Sequence, residues 1–273
     1  MKLANFTKNG YVFVATDIDA YNQMKELNPQ TIYLPANFTK SAVNNIHMED
    51  FAEILKIRPV LVHQLLLWDA EVIYTDIDIV FLEDPISSFN DEADFEVQSD
   101  SDRIVKYNTS APVVFLPNMG YFKVHPTPIV LRFFKVWLQK FFSTPKKHEQ
   151  TAFYDLLKPL PMEWINDDTF QIQVQTIFQQ TEPLHLKIRY LDPVYFTNAG
   201  SAFKNGRELW VNEAHRRNIT KPKLVHFFHI GFIREKRGFV TGMQMSCVTK
   251  EKKCKDEAPS GVKIFPIWRR NQS

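Results

Sequence analysis

The chain has 273 residues, 33 of them basic and 31 acidic, for a net charge of +2. That balance gives no reason to propose a nucleic-acid partner. Hydrophobic residues make up 44% and aromatics 14%, a profile of a chain with a substantial core and not of a disordered one. No apolar run approaches the roughly 18 residues needed to cross a bilayer, so membrane association would require an anchor absent from this sequence.

In chain order, residues 10–15 (GYVFVA) form a short β-rich apolar run that predicts a buried strand. A helix is expected over 19–27, ended by Asn28-Pro29-Gln30, and a second strand over 31–34, stopped by Pro35. Residues 48–58 have helical spacing, and Pro59 suits the first turn of a new helix over 59–70. The run EVIYTDIDIVFL, 71–82, reads as a mostly apolar strand. An apolar strand bounded by helices belongs in a sheet covered on both faces. A strand is expected over 111–117, helices over 127–142 and 148–157, and a strand followed by a turn over 223–231. From about residue 239 the chain turns polar and basic. The expected organisation is one α/β domain over 1–238, with a mixed, mostly parallel sheet and helices on both faces, followed by a tail over 239–273.

Thr-Asp-Ile-Asp occurs twice, at 16–19 and at 75–78. In the first copy Asp17 suits a helix N-cap and Asp19 the first turn, which accounts for both acids without a ligand. In the second copy Asp76 and Asp78 interrupt an apolar strand. Acids there are costly to bury unless paired or bound to a cation. Strand ends in open α/β sheets are where ligands bind, and two carboxylates at i and i+2 can share a hard divalent ion.

Cys247 and Cys254 are either two free thiols or a small disulfide-closed loop, the second requiring an oxidising compartment. Five Asn-X-Ser/Thr sequons, at Asn5, Asn37, Asn108, Asn218 and Asn271, tilt the expectation toward a Golgi or secretory lumen, with the cytoplasm as the alternative.

An apolar strand into Asp-X-Asp, then an apolar run and Asp84-Pro85, resembles the metal motif of glycosyltransferases with the GT-A fold. More closely it resembles the nucleotide-diphospho-sugar transferase family, which includes plant cell-wall arabinosyl- and xylosyltransferases (glycosyltransferase family 77-like). Further stretches fit in order: VFVATDIDAYNQMKEL, DEADFEVQSD, LPNMGYFKV, EQTAF, YLDPVYFTNAG and VHFFHIGFIREK. Three features depart from the pattern. Glu149 stands where the family has Asp, the usual His-X-Asn is His226-Phe227-Phe228, and a strand expected before GYVFVA is missing, as in a fragment or a degenerate relative.

The resemblance implies transfer of a sugar from a nucleotide-diphosphate donor, a UDP-sugar, to a glycan or glycoprotein acceptor, with retention. Asp78 should hold the metal most directly, and Asp76 should share it or hold the ribose. His226 or His229 completes the shell, and which of them does so is open. Imidazole beside carboxylates favours Mn²⁺ somewhat over Mg²⁺. Gly231 lets backbone approach phosphate, and Lys236 adds charge on the diphosphate, with Arg58 a further candidate. Asn118, Gly120 and Asp100 are expected at the sugar, and Glu149 and Gln150 beside the anomeric carbon. Two other readings remain. One is a non-catalytic sugar- or protein-binding relative. The other is a haloacid-dehalogenase-type phosphatase, with Asp76 as nucleophile and Asn166-Asp167-Asp168 as its late acidic pair.

Overall fold

Strand and helix positions follow from where the apolar side chains can be buried. A computed structural model describes residues 11–16, 18–34, 48–100, 117–144, 148–179, 181–198 and 207–227. The N-terminal unit is β1 (Phe13–Ala15), α1 (Ile18–Leu27) and β2 (Thr31–Tyr33), the two strands pairing in parallel. α2 (Met48–Leu67) leads to β3 (Val72–Thr75) and β4 (Ile79–Phe81). Then come β5 (Phe95–Ser99), β6 (Pro117–Val124), α3 (Pro128–Ser143) and α4 (Glu149–Leu157). The last elements are β7 (Met162–Trp164), β8 (Thr169–Gln173), β9 (His185–Tyr190), β10 (Phe196–Asn198), α5 (Arg207–Arg216) and β11 (Leu224–His226).

Six strands form one sheet in the order β3-β6-β5-β9-β8-β7, and three form another in the order β10-β11-β4. β5 and β6 are buried along their whole lengths, as strands covered on both faces must be. Successive residues of a strand point to opposite faces. Phe122 of β6 therefore joins one core with Val62 and Leu66 of α2, Phe133, Phe134 and Trp137 of α3, and Phe153 of α4. Tyr121 faces the other way, into a second core with Ile79, Leu191, Phe196 and Leu224 beneath the three-stranded sheet.

The expected mixed α/β single domain is present. Its strand pairing differs from the expectation: in the six-stranded sheet only β5–β9 is parallel, and the other neighbours are antiparallel. The helices of the main core lie against one face of this sheet and the three-stranded sheet against the other. Antiparallel neighbours need no crossover helix, which is why the six consecutive described elements from β7 to β11 include a single helix. The break expected at Pro59 is also absent. α2 runs through it, and Leu55, Pro59, Val62 and Leu66 are all buried. That spacing keeps one stripe on the core, so packing outweighs the lost backbone hydrogen bond. Residues 111–116 of the strand expected over 111–117, and the tail over 239–273, lie outside the described residues. Among the described residues no helix is long and apolar enough to cross a membrane.

Candidate active site at the junction of two sheets

The run 71–82 is two strands, not one. β3 pairs with β6, and the Asp76 N–H still donates to Gly120 O at 2.7 Å. Two residues later the Asp78 carbonyl accepts from Phe227 N at 2.9 Å, and β4 pairs with β11. Asp76-Ile77-Asp78 is therefore the step by which the chain leaves one sheet for the other. Ile77 points outward, 96% exposed, and the two acids are half-buried on either side of it.

β11 brings His226 to the same place, in register with Ile79 of β4. His226 is 1% exposed, with Nε2 3.3 Å from Asp78 Oδ1 and 3.8 Å from Asp76 Oδ2. The ligand atoms of Asp76, Asp78 and His226 lie within 4.8 Å of one another. Gly120 forms the floor. A β-carbon there would lie 2.2 Å from His226 Cε1, 2.7 Å from Asp76 Oδ2 and 2.9 Å from Asn118 Oδ1, so only glycine lets the three ligands converge. Two carboxylates and an imidazole around this floor fit a divalent ion such as Mn²⁺ or Mg²⁺.

Arg58, projecting from α2, ties the acids to the core. Its guanidinium donates to the Met119 carbonyl, lies 3.2 Å from Glu149 Oε1 and 3.6 Å from Asp76 Oδ1, and stacks 4.9 Å from the Tyr74 ring centroid. The Tyr74 hydroxyl donates to Asp76 Oδ1 at 2.8 Å, and burial pushes its pKa well above the ordinary phenol range. Glu149 is 2% exposed at the start of α4. Burial raises its carboxyl pKa, and the Arg58 charge pulls it back down. Arg58 is thus engaged by protein groups, and Glu149 sits behind it on the core side.

A second network surrounds Asp100. Asn118 and Asn198 each donate to its Oδ1 at 3.2 Å, and Gln150 donates to its Oδ2 at 2.9 Å. The same amides repair an irregularity in β6. Gln150 Oε1 accepts from Met119 N at 3.1 Å, and Asn118 Oδ1 accepts from Gly120 N at 2.9 Å. These backbone groups lie where pairing with β5 skips from Phe122 to Asn118.

Asp76, Asp78, His226, Gly120, Arg58, Asp100, Asn118, Glu149 and Gln150 are therefore brought together. His229, Gly231 and Lys236 lie outside the described residues, as does Asp17. Asp19 stands in the first turn of α1, where its charge suits the helix dipole. Tyr74, Gln98 and Asn198 belong to the site without having been singled out in the sequence. Asn166-Asp167-Asp168 turns the β7–β8 hairpin at the edge of the sheet opposite β3, with Asp168 bound to Arg189 at 2.9 Å. Its position gives the phosphatase reading no support. A second group, Glu71, Asp91 and His125, already holds the Lys123 ammonium, 2.9 Å from Asp91 and 3.3 Å from Glu71.

The mixed α/β fold thus carries an Asp-X-Asp step and a facing histidine at a sheet junction, a donor set that could hold a divalent ion. The model of the nucleotide-diphospho-sugar transferase family matches residues 7–239, and the chain belongs to that family. Curated proteins yield no match. Membership supports sugar transfer between a nucleotide-sugar donor and an acceptor.

Proposed function

We propose that the chain is a divalent-metal-dependent glycosyltransferase, moving a sugar from a UDP-sugar to a glycan or glycoprotein acceptor with retention of configuration. The observation that carries this reading is the convergence of Asp76, Asp78 and His226 over Gly120. When bound there, Mn²⁺ or Mg²⁺ supplies positive charge against the departing diphosphate. Asp76, Asp78 and His226 hold it, and Arg58 and Tyr74 fix the Asp76 carboxylate. Asp100, oriented by three amides, accepts hydrogen bonds from sugar hydroxyls. Gln150 joins that carboxylate to the β6 backbone, and Glu149 anchors Arg58. Lys236 and Gly231 serve the diphosphate. With Glu149 buried behind Arg58, the reading assigns no protein nucleophile, and the departing phosphate takes the acceptor proton. We place the activity in a secretory lumen, on the five sequons.

Transfer and donor hydrolysis, measured over a panel of nucleotide sugars with Mn²⁺, test the reading. Chelation and Asp78→Ala should each remove most of the turnover, and the product anomer read by NMR should match the donor. Metal-independent turnover would overturn the role of the acids, and an inverted product would overturn retention.

A further inference from the structure

Gln98 is 0% exposed in the middle of a strand whose every residue is buried. A buried amide must satisfy both of its ends. One end lies 2.9 Å from the carbonyl oxygen of Phe196. A carbonyl only accepts, so this end is the amide NH₂. The other end, 3.0 Å from His226 Nδ1, is then the amide oxygen. Because that oxygen can only accept, Nδ1 carries the hydrogen, and in the neutral ring the lone pair falls on Nε2. Nε2 is the nitrogen that faces Asp78 at 3.3 Å and Asp76 at 3.8 Å.

We propose that Gln98 is a positioning residue, its amide locking His226 in the Nδ1–H tautomer so that the ring presents a lone pair, together with Asp76 and Asp78, to a divalent cation. The proposal rests on reading those three residues as a metal site. The local fold explains why this glutamine can do it. Pairing of β5 with β6 is regular up to Val97 opposite Phe122, then shifts so that Gln98 faces Asn118. Such irregularities re-aim side chains. Phe196 and His226 come from β10 and β11, neighbours in the other sheet. Gln98 therefore reaches across from one sheet and fixes a ligand in the next. Metal-binding histidines commonly use their second nitrogen in this way, and losing that partner typically weakens metal binding about 10- to 100-fold.

Gln98→Glu keeps an acceptor at Nδ1 but loses the donor to Phe196. Gln98→Leu loses both. Mn²⁺ affinity of the full chain is measured by calorimetry, and the histidine tautomer of the metal-free protein by ¹⁵N NMR in mildly alkaline buffer. The expected result is wild-type or tighter Mn²⁺ binding in Gln98→Glu, binding weaker by about 10-fold or more in Gln98→Leu, and an Nδ1–H ring in wild type and Gln98→Glu alone. A clip that only joins the sheets would predict similar losses in both variants. Equal losses, or an Nε2–H ring in the wild type, overturns the proposal. If the wild type binds no Mn²⁺, the metal reading itself fails. Should Gln98→Leu not fold, the wild-type tautomer and the affinity of Gln98→Glu decide.

Discussion

Arg58 and Glu149 show how one side chain can be required by the fold and by the site together. Glu149 is a buried acid, and its nearest charge is the Arg58 guanidinium at 3.2 Å. Removing one partner of a buried pair typically costs about 3–5 kcal/mol. The carboxyl pKa is raised in the folded state by burial. A raised pKa means that this group favours the folded state below its unfolded value, and that the contribution is lost as pH rises through the folded value. Arg58→Met removes the opposing influence, so the raise grows. The stability deficit of Arg58→Met relative to wild type should be small near pH 4 and widen toward pH 7, and adding Glu149→Gln should recover part of it. Urea unfolding at the two pH values measures this, and a pH-independent deficit would count against it. Gly120→Ala tests the floor of the site. With atoms 2.2 and 2.7 Å from the new carbon, His226 or Asp76 must move. Mn²⁺ affinity should fall at least about tenfold, for a fold cost of about 1–3 kcal/mol. Unchanged affinity would show that the floor has slack. At this scale the two acids were legible because carboxylates inside an apolar run need a reason. Gln98, Asn198 and Tyr74 were not, because their work depends on partners about 100 residues away, or on which way a strand residue points.

The helices and the short apolar strands of the first half were readable because their signals are local. Thr127, where the expected helix begins, lies just outside α3 and caps it, accepting from Val130 N at 3.4 Å while donating to Asp94 at 3.0 Å. Thr127→Ala should cost about 1 kcal/mol and leave Mn²⁺ affinity unchanged. A loss of metal binding in this variant would mean that α3 is coupled to the site more tightly than its distance in the fold implies. The later strands gave little warning. β9, HLKIRY, is the exception: its polar and apolar residues alternate, with Leu186, Ile188 and Tyr190 buried between His185, Lys187 and Arg189, the period-2 signal of a half-buried strand, and Arg189 pairs with Glu96 and Asp168. β7 and β10 have three residues each, too few to show a period. The break inside 71–82 was invisible for the opposite reason. The run is apolar on both sides of the acids because both halves are strands, and only the change of partner, from β6 to β11, separates them.

Among the described residues, the six- and three-stranded sheets meet at the Asp76-Ile77-Asp78 step, at Gln98, at Asp100 between the amides of Asn118 and Asn198, and in the core around Tyr121 and Phe196. The first two lead to the proposed metal site. A cation bound there would draw together carboxylates that otherwise repel, and would join the end of β3 to β11. Ligand binding to the folded state stabilises by RT ln(1 + [L]/Kd), about 2.7 kcal/mol at one hundred times Kd. For a chain of this size each kcal/mol raises Tm by about 2–4 °C, so saturating Mn²⁺ should raise Tm by about 5–10 °C, and a chelator should reverse it. Asp78→Asn should abolish the rise. Glu83→Gln should not, because Glu83 is exposed and pairs with Lys221 at 3.1 Å on the far side of β4 from the acids in sequence. A general effect of added salt would shift both variants alike, whereas a cation seated between the sheets must distinguish an acid at their junction from one on the surface beyond it.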